Sequence, residues 1–180
     1  MKTLSTGSLI GHTYSNHHNL VPRSRCGMWP FTTKEPLSPD KLPLPDAWIQ
    51  RQGHDPLGKT MYVRANSAYS KFKGVTDYGQ YVSLAVPMVD TTRAGFPNPG
   101  EVEELNRIEN DICEILEQNR DCIFVATTTI PGIREFILYT RNPDAVQRKF
   151  DNDVLARVFT HRVHLKMQPD KDWSLYHKLL

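Results

Sequence analysis

From Tyr81 onward the hydrophobic and polar positions fall into blocks whose period switches between two and about 3.6 residues. Tyr81 to Met88 alternates, with Val82, Leu84 and Val86 on one side and Tyr81, Ser83 and Ala85 on the other, which predicts a strand. A loop with Gly95, Pro97 and Pro99 follows. Leu105, Ile108, Ile112, Ile115 and Leu116 then recur at spacings of three and four, predicting a helix over 101–118 with one buried stripe. Glu101, Glu103 and Glu104 fall in its first turn, where the helix dipole favours negative charge. Asn119 suits its end. Cys122 to Ile130 and Ile133 to Thr140 are two β-branched runs around Pro131-Gly132, a predicted hairpin. Asn142-Pro143 caps and starts a short helix carrying Ala145, Val146, Phe150 and Val154. Val158 to Met167 reads as a last strand.

The order strand, helix, strand, strand, helix, strand is that of a ferredoxin-like two-layer sandwich (βαββαβ), an α+β fold with both helices on one side of an antiparallel sheet. Met61 to Ala65 has strand composition and adds an extra N-terminal edge strand. Alternation places Val82, Leu84, Val86, Ile123, Val125, Phe136, Leu138, Val163 and Leu165 under the helices. It sends Tyr81, Ser83, Phe124, Ala126, Thr128, Glu135, Ile137, Tyr139, Thr160, Arg162, His164 and Lys166 to the other side. That second face is mixed: solvated, covered by a terminal segment, or a binding surface.

Upstream the pattern dissolves. Residues 1–45 hold Pro22, Pro30, Pro36, Pro39, Pro43 and Pro45 and few large hydrophobes, so they are expected to form a disordered tail, with 46–180 a single α+β domain that begins at Trp48 and Ile49. The His17–His18 pair supplies two ligands where a metal site needs three or four, and is read as solvated. Leu20-Val21-Pro22-Arg23-Ser24 resembles a thrombin-type cleavage sequence; beside so short a histidine run it is treated as native.

Composition narrows the function classes. The net charge is +2 with both signs interspersed, unlike the basic footprint of a nucleic-acid binder. The three cysteines, Cys26, Cys113 and Cys122, form no CxxC, which argues against a disulfide framework or a structural zinc. No apolar run is long enough for a membrane span, and the first residues lack the apolar core of a secretory signal. The expected location is the cytoplasm, and no cofactor or metal is expected.

The candidate binding residues are Asp90, Arg134, Glu135, Tyr139, Asp172, Trp173 and Tyr176. Arg134 suits an anionic ligand or a partner carboxylate; its structural alternative is an ion pair with Asp90 or Asp172. Trp173 and Tyr176 either line a pocket or anchor the C-terminal segment by burying their rings. A hydrolase would draw its base from His161, His164 or His177 and its acid from Asp90 or Asp172, but no GxSxG, HExxH or P-loop pattern accompanies them. An RNA-binding sheet would need its rings on one face. Phe136 and Tyr139 fall on opposite faces, and Glu135 would repel phosphate. The preferred expectation is a non-catalytic module acting by contact with a protein partner or by self-association, through the acidic outer side of the long helix or the mixed sheet face.

Three stretches, in order, carry a resemblance. They are Val82-Ser83-Leu84 through Asp90 and Gly95-Phe96-Pro97 to Glu104-Leu105 and Ile108-Glu109; then Thr128-Thr129, Gly132, Arg134-Glu135-Phe136 and Tyr139; then Asp172-Trp173 and Tyr176. They resemble the bacterial family called domain of unknown function 695 over most of residues 48–180. Asn110 stands where that family's pattern favours an acidic residue. The resemblance implies an α+β fold and carries no activity. Some relatives of the pattern resemble the regulator of ribonuclease E activity, type B, and fold analogy of that kind does not transfer function.

Overall fold

The structure is a computed structural model and describes residues 34–180. Six strands form one sheet: β1 (Trp48–His54), β2 (Thr60–Asn66), β3 (Gln80–Pro87), β4 (Cys122–Ile130), β5 (Ile133–Thr140) and β6 (His164–Pro169). Their order is β1-β2-β4-β5-β3-β6, and all five pairings are antiparallel. Between β3 and β4 runs α1 (Pro99–Leu116). Between β5 and β6 runs α2 (Pro143–Lys149), continued through a π-helical turn, Phe150–Val154, into α3 (Leu155–Arg157). A last helical turn, α4 (Ser174–His177), follows β6.

Local chemistry explains the boundaries. Pro99 opens α1, where its missing N–H costs nothing. Asn119 and Arg120 adopt left-handed backbone just beyond the helix and turn the chain back into β4. The Asn142 side chain accepts from the Ala145 amide at 3.1 Å and starts α2.

Both faces of the sheet are buried. On one face Leu105, Ile108, Ile112, Ile115 and Leu116 of α1, with Val146, Phe150 and Val154, pack on Val82, Leu84, Val86, Phe124, Phe136 and Leu138. The other face carries Tyr81, Ile123, Val125, Ala126, Ile137 and Tyr139, roofed by Leu37, Leu42, Tyr69, Val75, Tyr78, Trp173 and Tyr176. Of the three options open for the mixed face, covering is the one adopted, by the segments at both ends of the domain together with the β2–β3 connection.

Several expectations are corrected. Ile123 and Val125 were expected under the helices and Phe124 opposite; the assignments are reversed. Ile123 pairs with Tyr139 and Phe124 with Leu138, but the next partner of β5, Ile137, faces Ala126. Val125 is thus an extra residue, a β-bulge that inverts the parity of the strand. Ala126 and Thr128 fall where strict alternation from the hairpin end puts them, and residues before the bulge do not. The N-terminal addition is a hairpin rather than one strand: β2 is interior, and β1 is the edge. The last strand starts at His164, since 158–163 is irregular with Val158, His161 and Val163 buried. The stretch 34–45, expected as tail, packs on the domain: Leu37 is 2 % exposed, its amide donates to Gly74 O at 2.8 Å, and its carbonyl accepts from Thr76 at 2.9 Å. His17, His18, Cys26 and the rest of the expected tail lie outside the described residues.

Candidate functional site

Because α1 covers β3, β5 and part of β4, the β1–β2 hairpin extends the sheet past the helical roof. A polar cleft of about 620 Å³ opens there, within the range of small-ligand sites. Its floor is one side of the sheet: Gln50 and Gln52 on β1, Tyr62 and Arg64 on β2, Thr127 and Thr129 on β4, and Arg134 on β5. The pairings Gln52↔Tyr62↔Thr129↔Arg134 and Gln50↔Arg64↔Thr127 show that these side chains share a face. The wall is Val102, Asn106 and Glu109, spaced four and three apart along one flank of α1.

Electrostatically the cleft is donor-rich. Arg64 is ion-paired with Glu109, and its guanidinium lies 4.7 Å from the centre of the Trp48 ring. Glu109 also accepts from the Thr127 hydroxyl at 3.2 Å. Arg134 donates Nε–H to Thr129 Oγ1 at 3.2 Å and Nη1–H to Asn106 Oδ1 at 3.3 Å, both neutral acceptors. It forms no ion pair with any described residue, and neither Asp90 nor Asp172 is its partner, which corrects the structural alternative drawn from the sequence. Burial pulls the Arg134 guanidinium below its ordinary value; the Glu109 carboxylate opposes this and the like charge of Arg64 adds to it.

The other candidates do not join Arg134 in the cleft. Glu135 points to the opposite face, where Ser83 and Thr128 donate to its carboxylate. Asp90 is exposed and accepts from Asn98 Nδ2 at 2.6 Å. Asp172 is exposed beside Lys73 at 3.2 Å. Tyr139, Trp173 and Tyr176 do come together, as a buried ring cluster. Trp173 stacks on Tyr139 with centroids 4.1 Å apart, donates Nε1–H to Tyr78 O, and lies edge-on to Tyr176. Their relative exposures are all 0 %, so these rings anchor the C-terminal segment and line no open pocket. That also covers the face on which an RNA-stacking sheet would display its rings.

The hydrolase set is dispersed. His161 is buried against Glu101, with Nε2 2.9 Å from Oε1, and Glu101 also accepts from the amides of Val89 and Asp90. His164 is exposed on β6. His177 sits on α4 against Phe72 O, on the face opposite the helices, where burial and then Lys34 lower its basicity. The Asp90 carboxylate accepts from Asn98, and the acid that meets His161 is Glu101. The outer side of α1 is not an uninterrupted acidic patch either. Arg107 pairs with Glu104 and Asp111, and Arg157 with Asp111 and Glu114.

Only Arg134 of the cleft was among the residues selected from the sequence. Arg64, Asn106, Glu109 and Thr127 were missed. For Arg64 and Thr127 the signal was present in weak form, as polar residues at strand positions where a helix-covered face calls for apolar ones; Asn106 and Glu109 lie on a flank of α1 that reads as solvated. No helix of the described residues is long and apolar enough to cross a membrane, and among them no group of three or more metal-ligating side chains gathers.

No curated protein and no solved structure matches the chain. Residues 57–180, from the first turn of the β1–β2 hairpin to the end of the chain, match the sequence model of a family of unknown function, DUF695, and the chain belongs to that family.

Proposed function

We propose that this domain is a non-catalytic recognition or regulatory module of the cytoplasm, working by contact with a protein partner or a second copy of itself. We further propose that its frame is the ferredoxin-like sandwich. The order β4-β5-β3-β6, with α1 and α2 as the two crossovers on one face, supports that frame, with β1 and β2 added beyond β4.

The observation that carries the functional reading is the guanidinium of Arg134, held in an open polar cleft by two neutral acceptors. A partly desolvated cation without a carboxylate partner is a poor stabiliser of its own fold and a good one of a complex. The self-neutralised outer side of α1 offers much less, since charges already paired at a surface contribute little.

The test is a comparison of two charge reversals. Arg134→Glu should abolish co-purification or self-association while far-UV circular dichroism stays unchanged. Glu104→Lys with Glu114→Lys should leave association intact. If the cleft variant associates as the wild type does, the cleft is not the contact surface.

A further inference from the structure

Resting on that reading, we infer that the cleft between α1 and the β1–β2 hairpin is a binding site for a single carboxylate, presented by an acidic side chain of a partner polypeptide and gripped by Arg134.

Three observations select this chemistry. The first is the charge balance. Arg64 and Glu109 neutralise each other in their ion pair, and Arg51, which also borders the cleft, alternates with Gln50 and Gln52 to the other side of β1, so Arg134 is the one cation on the floor without an ion pair among the described residues. A carboxylate brings one negative charge and completes the balance. A phosphate carrying nearly two would meet the Glu109 carboxylate, 16 % exposed in the same wall, with Arg134 as the single unpaired guanidinium on the floor and Arg51 based on the other side of β1.

The second is geometry. Arg134 spends Nε–H on Thr129 and one Nη1–H on Asn106, and these two bonds fix the plane of the guanidinium. No bond runs from Nη2 to another described residue. The fixed plane therefore presents N–H donors to the cleft without the rotamer entropy that an exposed arginine loses on binding. Arg134 also sits below its ordinary value through burial, a penalty that an incoming anion offsets.

The third is what surrounds the charge. Gln50, Gln52 and the Asn106 amide supply both donors and acceptors, suited to a peptide backbone. Tyr62, with its ring edge-on to Phe96 at 5.1 Å, and Val102 give an apolar rim for the stem of a glutamate or aspartate. A surface made for a nucleic-acid backbone would instead multiply cations and omit Glu109.

The experiment follows backbone amide resonances and thermal unfolding of the full chain. The probes are glutarate, an acetylated glutamate-rich peptide, its glutamine counterpart and inorganic phosphate. The peptide with glutamate and free glutarate should both shift resonances of Arg64, Asn106, Thr129 and Arg134, the peptide at lower concentration. The glutamine peptide and phosphate should bind at least about tenfold more weakly. Asn106→Asp places a carboxylate beside Arg134 from within the chain. It should keep or raise the melting temperature and weaken the acidic peptide at least about tenfold, a combination that damage to the fold would not give. Equal binding of phosphate or of the glutamine peptide would overturn the carboxylate assignment, as would silence of the cleft resonances towards every probe. The charge-reversal association assay reads the broader protein-contact reading separately, so the two failures are distinguishable.

Discussion

Asp170 shows how much a single side chain organises. One of its oxygens accepts from the Ser174 amide and hydroxyl at 2.9 and 2.7 Å, and the other from the Tyr139 hydroxyl at 2.6 Å and the Leu175 amide at 2.9 Å. Burial alone would raise its carboxyl, but these donors outweigh burial and hold it below the ordinary 3.8. A carboxyl lowered in the folded state contributes stability that is present above its unfolded value and lost as pH falls through the folded one. Asp170→Asn should therefore cost about 1–3 kcal/mol at neutral pH. The gap to wild type should close below about pH 3.8 in urea titrations at stepped pH; a gap constant with pH would refute the account. Gly74 has φ +98°, and a Cβ there would meet the Trp173 ring at 2.5 Å. The glycine is thus set both by its backbone and by the ring packed on it. Neither role can be read from Asp170 or Gly74 in the sequence, because each depends on a ring about 30 or 100 residues away in the chain.

Among the elements, β4 is the most instructive. Eight of its nine residues are buried, so Cys122 to Ala126 is apolar on both sides and offers no contrast from which to read a face. Strict alternation then assigns one half of the strand correctly and the other half to the wrong side of the bulge at Val125. Deleting Val125 would remove the bulge and force one half of β4 to turn its side chains over. The expected loss is more than about 4 kcal/mol, against about 1–2 kcal/mol for Val125→Ala, read from chemical denaturation. Equal losses would mean that the register absorbs the change. By contrast the buried stripe of α1 was legible, since its apolar residues recur on one side, although the helix runs Pro99–Leu116 against the expected 101–118 and Glu101 is buried as well. Thr127 and Thr129 lie beyond the bulge and take the cleft side through the unbroken register of the β4–β5 hairpin.

For the molecule as a whole, the consequence of a sheet buried on both faces is that the terminal segments are part of the core. Trp173 and Tyr176 close one face, with Tyr176 OH donating to Asn66 O at 2.6 Å. A chain ending at Lys171 should expose Tyr81, Ile137 and Tyr139, bind a hydrophobic dye such as ANS, and melt at least 10 °C lower than the full chain. A truncated protein with unchanged melting and no dye binding would show the covering to be dispensable. The sequence by itself determined the element types between Tyr81 and Lys149, the antiparallel α+β class and the helix-covered stripe of α1, because these follow from hydrophobic periodicity within one segment. Only the tertiary structure decided which side of β4 faces which layer, that Lys34 to Pro45 joins the fold, and that Arg64, Asn106, Glu109, Thr129 and Arg134 share a cleft. Such facts arise where segments distant in the chain meet, and a local pattern carries no information about its remote partner.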